Sequence, residues 1–283
     1  KLDDEGIYKR HKEFEGAPID ADVIVVDELS MVDMFLMNYL LRCVYQGTKL
    51  VLVGDSDQLA SVGPGSVLKD LINSEKIRTV HLDKIFRQAA KSKIILNAHR
   101  VNQGKKFLEK DDIENEVNGD FFFIKHNSQE KMLQEIITLC TGRLKKIGNY
   151  DFFENIQVLT PTKKGLLGTK ELNKALQQVL NPNIDNMPEK ANSGAIYRAG
   201  DRIMQVKNNY DITFEKESKE DNVKTEFGSG VFNGEIGTIT QIDEREKVVE
   251  IKFDDNKVAW YEFSDLDQIE HSYSITIHKA QRK

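Results

Sequence analysis

Two patterns of hydrophobic and polar positions follow one another along this chain. Up to about residue 195, short apolar runs alternate with stretches whose apolar residues recur every three or four positions. Beyond residue 195, short apolar runs follow one another closely, with only turn residues between them. The first pattern is typical of buried parallel strands joined by amphipathic helices. The second is typical of a small barrel. The sequence therefore predicts an α/β protein with an inserted small SH3-like or OB-like β-barrel.

The first region contains two apolar runs that we expect to be neighbouring parallel strands. Residues 23–26 are all β-branched, and residues 50–53 follow after a helical pattern at 31–45. An uninterrupted apolar run predicts a strand that is covered on both faces, and the helix between the runs fits a βαβ crossover. A Gly-Pro-Gly loop, a helix and a further strand at 79–82 complete this region.

Further elements are predicted from the same periodicities. Helices are predicted at 89–102, 128–147 and 169–180, and strands at 121–124, 156–159, 203–206, 236–242, 248–253 and 258–263. Residues 254–256 fit a hairpin turn, the charged stretch 213–230 is predicted to be a mobile loop, and Trp260 is expected in the barrel core. The chain is predicted to return to the α/β part at 275–277.

Polar residues stand directly after the first two predicted strands. Asp27 and Glu28 end the first run, and Gly54, Asp55 and Gln58 follow the second. Ligands of open α/β sheets lie beyond the carboxyl ends of the strands. There, an aspartate can hold Mg²⁺ through water and a neighbouring glutamate can take a proton from an attacking water, which is the form of a Walker B element. The alternative is a core strand that ends in a solvated acidic pair.

One arginine follows the third predicted strand. Arg87 would lie beside a phosphate-binding edge and is a candidate arginine finger. The alternative is an ordinary cation at the start of a helix.

The residues after these strands also carry a family resemblance. They resemble motifs II, III and IV of superfamily-one DNA helicases of the RecD type (exodeoxyribonuclease V alpha-subunit-like), in the segments VIVVDELSMVD, VLVGDSDQLASVGPG and LDKIFRQ. Downstream, IQVLTPTKKGLLGTKELNKALQQVLNP resembles the DNA-facing edge of the second motor domain, GDRIMQVKNNYD and VFNGEIGTI resemble its inserted barrel, and SYSITIHKAQ resembles motif V. The resemblance runs in order over nearly the whole chain.

The resemblance implies an ATP-dependent DNA helicase that translocates on single-stranded DNA in recombination or repair. It implies ATP and Mg²⁺ as cofactors, with Asp27, Glu28, Gly54, Asp55, Gln58 and Arg87 at the nucleotide. It implies contacts to single-stranded DNA from Thr160, Thr162, Lys163, Thr276, His278, Lys279 and Gln281. On a predicted barrel loop, Asn208 and Asn209 offer amides and an exposed Tyr210 could stack on a base; the alternative is a barrel turn with Tyr210 as a lid over the core. Two alternatives stay open: a catalytically inactive nucleic-acid-binding scaffold, and a P-loop nucleotidase with a non-nucleic-acid substrate.

Two departures from the family pattern lead us to expect a fragment of a helicase motor. The sequence has no G-x-x-x-x-G-K-[ST] phosphate loop, and Arg282 and Lys283 stand where motif V continues with glycine. A degenerate paralogue is the alternative. The predicted domains are a partial first RecA-like motor domain (1–86), a second motor domain (87–194), the barrel (195–268) and a return to the second motor domain (269–283).

Charge and composition leave this prediction in place. The net charge is −6, yet residues 84–106 contain seven Lys or Arg and no acid. Such a basic run can bind phosphates, although solvated helix faces are the usual meaning of a charge run. No apolar run approaches the roughly 20 residues of a membrane span. Cys43 and Cys140 fit core positions as free thiols, which suits a protein of the reducing cytoplasm. Besides single-stranded DNA, we expect other recombination or repair subunits as partners.

Overall fold

A computed structural model describes residues 18–82, 92–107, 120–184, 187–217 and 225–281 of the chain. The described residues fall into two compact units, which divide between Ile124 and Lys125. The first unit contains β1 (Val23–Val26), a 3-10 turn (Leu29–Met31), α1 (Met34–Arg42), β2 (Lys49–Leu52), α2 (Val67–Asn73) and α3 (Lys93–Asn102).

The predicted βαβ unit is confirmed. Strands β1 and β2 are parallel, with Val23 opposite Lys49 and Val26 opposite Leu52. Helix α1 connects them, and its start is fixed by Asp33, whose Oδ1 accepts the N–H of Leu36 at 2.8 Å. That bond satisfies one of the backbone donors that a helix leaves unpaired at its first turn. Both strands therefore end at the same edge.

Two predictions about burial and strand content in this unit are wrong. Val25 is 63% exposed, so one face of β1 is open within the described residues instead of being covered. Residues 79–82 form no strand, and Leu82 is 96% exposed. A short apolar run indicates only that burial is favourable, whereas a strand needs a neighbour for its hydrogen bonds.

The predicted buried strand at 121–124 is also wrong. These residues carry no strand assignment, and Phe122 is 72% exposed. Phe121 and Phe123 instead pack on the ring of Phe107, with centroid distances of 5.8 and 4.7 Å. Aromatic packing at such distances does not require a sheet ladder.

The second unit contains a helical part, a small parallel sheet and a barrel. In chain order the elements are α4 (Gln129–Thr138), a π-helical turn (Leu139–Arg143), α5 (Leu144–Gly148), α6 (Phe152–Asn155), β3 (Val158–Thr160), α7 (Thr169–Leu180), β4 (Glu189–Asn192), β5 (Ala195–Arg198), β6 (Arg202–Gln205), β7 (Asn209–Glu217), β8 (Thr225–Val231), β9 (Ile236–Asp243), β10 (Val248–Phe253), β11 (Lys257–Glu262), a 3-10 helix (Phe263–Gln268), β12 (Ile269–His271), β13 (Ser274–Thr276) and α8 (Ile277–Ala280). The helices predicted at 128–147 and 169–180 are confirmed.

The barrel prediction is confirmed as well. Among the described residues its sheet has seven strands in the order β12-β6-β9-β10-β11-β7-β8. Its inward positions form one continuous apolar core, which includes Ile203, Val231, Ile239, Val249, Ile251, Ala259, Tyr261 and Leu266. The turn at 254–256 joins β10 to β11, and Asn256 takes φ 68° there, a value that asparagine tolerates better than most residues.

Two predictions within the barrel are wrong. Much of the predicted loop at 213–230 is the hairpin of β7 and β8, in which Phe214 pairs with Gly228. Trp260 is 39% exposed and lies outside the core, because its strand neighbours Ala259 and Tyr261 are the buried ones. Alternate residues of a strand point to opposite faces, so position along the strand outweighs residue type.

The return of the chain to the α/β part is confirmed. Strand β12 pairs with β6 in the barrel, and two residues later β13 pairs with β3 in a parallel register that places Thr276 opposite Thr160. The barrel is thus an insertion between two parallel strands that lie side by side.

Candidate functional site

In the first unit, the turn after β1 holds the two candidate carboxylates. Oδ1 of Asp27 accepts the N–H of Glu28 at 2.8 Å, and Glu28 takes the left-handed conformation with φ 54° and ψ 40°. The chain then turns so that Leu29 is fully buried and donates its N–H to the carbonyl of Val53 at 2.9 Å. The turn is therefore anchored to the end of β2, while both carboxylates stay exposed.

Gly54 joins this turn to the end of β2. A Cβ at this position would lie 3.1 Å from the backbone nitrogens of both Leu29 and Ser30 and 3.0 Å from Cδ2 of Leu68. Most side chains do not approach backbone atoms so closely, so the absence of a side chain allows the two segments to meet.

Gln58 reaches the same turn through Ser30. The hydroxyl of Ser30 donates to Oε1 of Gln58 at 3.1 Å, and the Gln58 N–H donates to the carbonyl of Asp55 at 3.2 Å. Oδ1 of Asp55 in turn accepts the N–H of Asp57 at 2.9 Å. A small cleft beside these contacts is lined by Ser30, Asp55, Ser56, Gln58, Ser66 and Lys69. Asp27, Glu28, Gly54, Asp55 and Gln58 thus meet at one edge.

The oxygen ligands at this edge fit a hard cation such as Mg²⁺, with water and phosphate oxygens as most of its other ligands. Asp27 offers an exposed carboxylate just beyond the strand, and carboxylate oxygen is a preferred ligand of Mg²⁺. In the described ranges, no group of three or more His, Cys, Asp and Glu side chains is arranged to hold a metal ion. Mg²⁺ typically binds through one or two carboxylates with water and substrate phosphates. Arg87 lies outside the described residues.

Ser30 is a member of this edge that sequence reasoning missed. It stands inside the quoted segment VIVVDELSMVD, three positions after Asp27. Its hydroxyl and the Gln58 side chain form a hydrogen bond between residues 28 positions apart. The spacing gave no signal for that pair, because a single serine in a turn is common.

The second unit has its own edge, where β3 and β13 end side by side. Thr160 is buried and its hydroxyl donates to the carbonyl of Leu167 at 2.6 Å, while the hydroxyl of Thr162 donates to that of Lys164 at 3.0 Å. Both hydroxyls therefore shape the loop that follows β3. Lys163 extends outward, with its Nζ 3.8 Å from Oε1 of Glu270.

The loop at 161–168 is fixed against the start of α7. The N–H of Thr169 donates to the carbonyl of Thr162 at 3.1 Å. A Cβ on Gly168 would lie 2.6 Å from the backbone of Lys164, so this position requires glycine. Lys163 is accordingly presented from a well-defined loop.

The motif V residues begin at the partner strand. Thr276 precedes α8, His278 is exposed, and Lys279 and Gln281 are half-buried. Ala280 packs against a small core cluster that contains Ile275. Because Thr276 is paired with Thr160, the structure brings the 160–163 and 276–281 segments together at one edge.

The barrel residues form a separate feature. Oδ1 of Asn208 accepts the N–H of Asn233 at 2.9 Å, and Nδ2 of Asn209 donates to Oε1 of Gln268 at 2.9 Å, so both amides hold the loop in shape. Tyr210 is 66% exposed, so its alternative role as a lid over the core is wrong. Its ring packs edge-on against Phe232, with centroids 5.5 Å apart, and sequence reasoning missed Phe232.

A buried polar network, also missed, centres on Asp201. Its carboxylate accepts hydrogen bonds from Gln177 at 2.7 Å, Asn181 at 2.7 Å and the Tyr273 hydroxyl at 2.8 Å. His271 lies 3.1 Å away. Burial by itself would raise the pKa of Asp201, but the hydrogen bond and charge of His271, with the other donors, outweigh it and lower the pKa. Burial and this carboxylate raise the pKa of Tyr273.

Within the part of the chain that the structure describes, none of the helices combines the length and the apolar character that crossing a bilayer requires.

Two family models match the chain. Residues 7–116 match the model described as an AAA domain, and residues 172–253 match the model of the SH3 domain of ATP-dependent RecD-like DNA helicases. The second match begins on α7 and ends with β10, so it covers most of the barrel.

Similar proteins include two curated relatives and one solved structure. The ATP-dependent RecD2 DNA helicase of Deinococcus radiodurans is 30% identical over 278 residues, which are 96% of this chain and 32% of that protein. The RecBCD enzyme subunit RecD of Buchnera aphidicola is 25% identical, over 93% of this chain and 48% of that protein. Pif1 helicase from Candida albicans has a TM-score of 0.44 and 17% identity, over 98% of this chain and 67% of that chain.

The chain therefore spans about a third and about a half of the lengths of these two relatives. Both alignments nonetheless extend over nearly all of the chain, and the barrel matches a model specific to RecD-like helicases. This chain is therefore similar to the RecD-type DNA helicases over nearly all of its length, and it combines an α/β part with an SH3-like barrel.

Proposed function

We propose that this chain forms part of an ATP-dependent DNA helicase that translocates along single-stranded DNA in recombination or repair. The observation that carries the proposal is the edge of the first unit, where one anchored turn holds Asp27 and Glu28 beside Gly54 and Gln58. Transfer of a phosphoryl group to water needs a ligand for the metal ion and groups that orient and deprotonate the water. Two acids and an amide beyond parallel strands can supply these groups.

Each residue of that edge has a proposed role. Asp27 would hold Mg²⁺ through water, and the bound ion would neutralise charge on the phosphates. Glu28 orients the attacking water and accepts its proton. Gln58, oriented by Ser30, senses the γ-phosphate, and Gly54 and Asp55 shape the nucleotide-facing loop. Arg87 is proposed to stabilise charge in the transition state.

The DNA-facing surface is proposed to be the edge of the second unit. Lys163 and Lys279 supply charge to the phosphates, and Thr160, Thr162, Thr276, His278 and Gln281 position the backbone around them. Asn208 and Asn209 hold the barrel loop from which Tyr210, supported by Phe232, offers a ring for a base to stack on. The domain division at residues 86, 194 and 268 stays a prediction.

Binding of single-stranded DNA by this chain tests the proposal. A labelled oligonucleotide in a fluorescence anisotropy titration across a salt series should show modest affinity. If about three or four phosphates are neutralised, log K should fall with log salt at a slope of roughly −2 to −3. Lys163→Ala should flatten the slope by about one contact. The matched control is Arg245→Ala, in the exposed turn beyond the far end of β9.

The outcomes separate the proposal from its two alternatives. Absence of binding at low salt, or equal effects of Lys163→Ala and Arg245→Ala, would contradict the DNA-facing edge and favour a nucleotidase with another substrate. DNA binding by a version that also carries a phosphate-binding loop, without ATP turnover, would favour the inactive scaffold.

A further inference from the structure

The two residues between β12 and β13 carry the chain from one sheet to another. β12 pairs with β6 of the barrel and β13 with β3, so Ser272 and Tyr273 cross between two sheets. Such a crossing leaves backbone groups without ladder partners, and buried backbone groups need partners. Ser272 and Tyr273 are fully buried, so water does not surround these groups.

The Ser272 N–H donates to the backbone carbonyl of Arg202 at 2.9 Å, and side-chain amides supply further partners. Nδ2 of Asn173 donates to the carbonyl of His271 at 2.8 Å, and its Oδ1 accepts the N–H of Ser274 at 2.6 Å. From the other side, Nε2 of Gln157 donates to the carbonyl of Ser272 at 3.1 Å. Asn173 thus bonds to the last residue of β12 and to the first residue of β13, the strand that leads to Thr276.

The helix that carries Asn173 also holds the other half of the candidate DNA edge. The first N–H of α7 donates to the Thr162 carbonyl, and Asn173 lies one turn further along the same helix. Since a helix is stiff over one turn, α7 fixes the distance between the 161–168 loop and the crossing. The loop presents Lys163 and the crossing leads to Lys279.

The Asp201 network stabilises this arrangement from the barrel side. Gln177, one turn after Asn173, donates to Oδ2 of Asp201, whose Oδ1 accepts from the Tyr273 hydroxyl of the crossing. The crossing is therefore bonded to α7 directly through Asn173 and indirectly through Asp201.

We propose that Asn173 is a positioning residue for the segment 276–281, and that its amide sets where Lys279 stands relative to Lys163. The proposal rests on the proposed function only in naming single-stranded DNA as the ligand; the positioning itself does not depend on it.

Hydrogen exchange in the 283-residue chain tests the positioning directly. Asn173→Leu keeps a side chain of similar size and removes both hydrogen bonds to the crossing. Amide exchange at 274–281 should become at least about tenfold faster, while the core strand β10 keeps its wild-type protection. Gln178→Leu, which removes an amide from the exposed face of the same helix, should change neither region.

Equal exchange of 274–281 in the two variants would overturn the proposal, as would loss of protection in β10 to the same extent. If Asn173→Leu does not fold, Asn173→Asp takes its place, because it keeps the acceptor for Ser274 and loses the donor to His271. Faster exchange confined to 274–281 in Asn173→Asp would support the proposal, and unchanged exchange would overturn it.

Binding of single-stranded DNA then tests the consequence. Asn173→Leu should weaken DNA binding by roughly fivefold or more. The double variant Asn173→Leu with Lys279→Ala should bind DNA more tightly than the product of the two single losses in affinity predicts, because both substitutions act through one segment. Independent, multiplicative effects would overturn the link to Lys279. If the wild-type chain binds no DNA, the proposed function fails, and the exchange result still decides the positioning.

Discussion

At the scale of single residues, Glu28 is held in an unfavourable backbone conformation. A left-handed φ of 54° costs a residue with a side chain about 1–3 kcal/mol. The burial of Leu29 directly after this turn, with its N–H bonded to the carbonyl of Val53, offsets this cost. Strain that the surroundings maintain is frequent at functional turns, which motivates the role proposed for this glutamate.

Glu28→Gln should abolish ATP turnover and leave nucleotide binding largely intact in a version of the protein that also carries a phosphate-binding loop. The amide keeps the shape of the side chain but does not accept a proton from water. Steady-state ATP hydrolysis with single-stranded DNA and binding of a fluorescent nucleotide would measure the two effects. Turnover within a few fold of the wild type would remove Glu28 from the chemistry.

Gly54→Ala should lower the free energy of unfolding by about 1–3 kcal/mol, as overpacked sites do. The new Cβ would meet two backbone nitrogens, which have less freedom to move than a side-chain end. Urea denaturation would measure the change. The control is Gly142→Ala, where nothing lies within 4 Å of the new Cβ and alanine should be neutral or slightly stabilising. An unaffected Gly54→Ala variant would contradict the close approach.

At the scale of elements, α7 organises the second unit through one polar stripe. Asn173, Gln177 and Asn181 recur every four residues and therefore share one face of the helix. All three make hydrogen bonds to the barrel or to the crossing that leaves it. Leu172 and Leu176, next to this stripe on the same helix, are buried. The helix thus attaches the barrel by hydrogen bonds as well as by apolar packing.

Asp201→Asn should reduce the free energy of unfolding by about 3 kcal/mol at pH 7, because it leaves buried donors without a charged acceptor. The pKa of Asp201 is lowered in the folded state. Its stabilisation is therefore fully present above the unfolded pKa of about 3.9 and is lost as pH falls through the folded pKa.

Chemical denaturation at several pH values would show this as a difference between wild type and Asp201→Asn that shrinks below about pH 4. The exposed Asp211→Asn is the control and should change stability by less than about 0.5 kcal/mol. A difference that grows as the pH falls would contradict the lowered pKa.

At the scale of the whole molecule, each unit presents one edge where two parallel strands end. One edge holds carboxylates and amides, and the other holds threonines and lysines. The net charge of −6 is therefore a poor guide to binding, since attraction of phosphates depends on the local distribution of charge.

The 283-residue chain should show no appreciable ATP turnover, even with single-stranded DNA. Its sequence has no G-x-x-x-x-G-K-[ST] segment, and positioning and electrostatic stabilisation of the phosphates account for almost all phosphoryl-transfer catalysis. A coupled ATPase assay with a Glu28→Gln control for contaminating activity would measure it. DNA-stimulated turnover that disappears in Glu28→Gln would overturn this prediction.

The sequence by itself determined the elements whose signals are local. The βαβ unit, the helices at 128–147 and 169–180, the barrel and the return of the chain at 275–277 all follow from periodicity and turn residues. The motif segments likewise indicated the edge with Asp27, Glu28 and Gln58, because residues after parallel strands of one sheet lie at the same edge. The resemblance to RecD-type helicases depended on the same segments.

Only the tertiary structure decided the features that depend on distant partners. Whether an apolar run becomes a strand depends on a neighbour that can complete its hydrogen bonds, and residues 79–82 and 121–124 have none in a ladder. The hydrogen bond between Ser30 and Gln58 and the network around Asp201 join residues that lie 20 to 72 positions apart in the sequence. The outward face of Trp260 depends on the position of that residue along its strand. No local pattern encodes such pairs, because they arise when separate elements pack together.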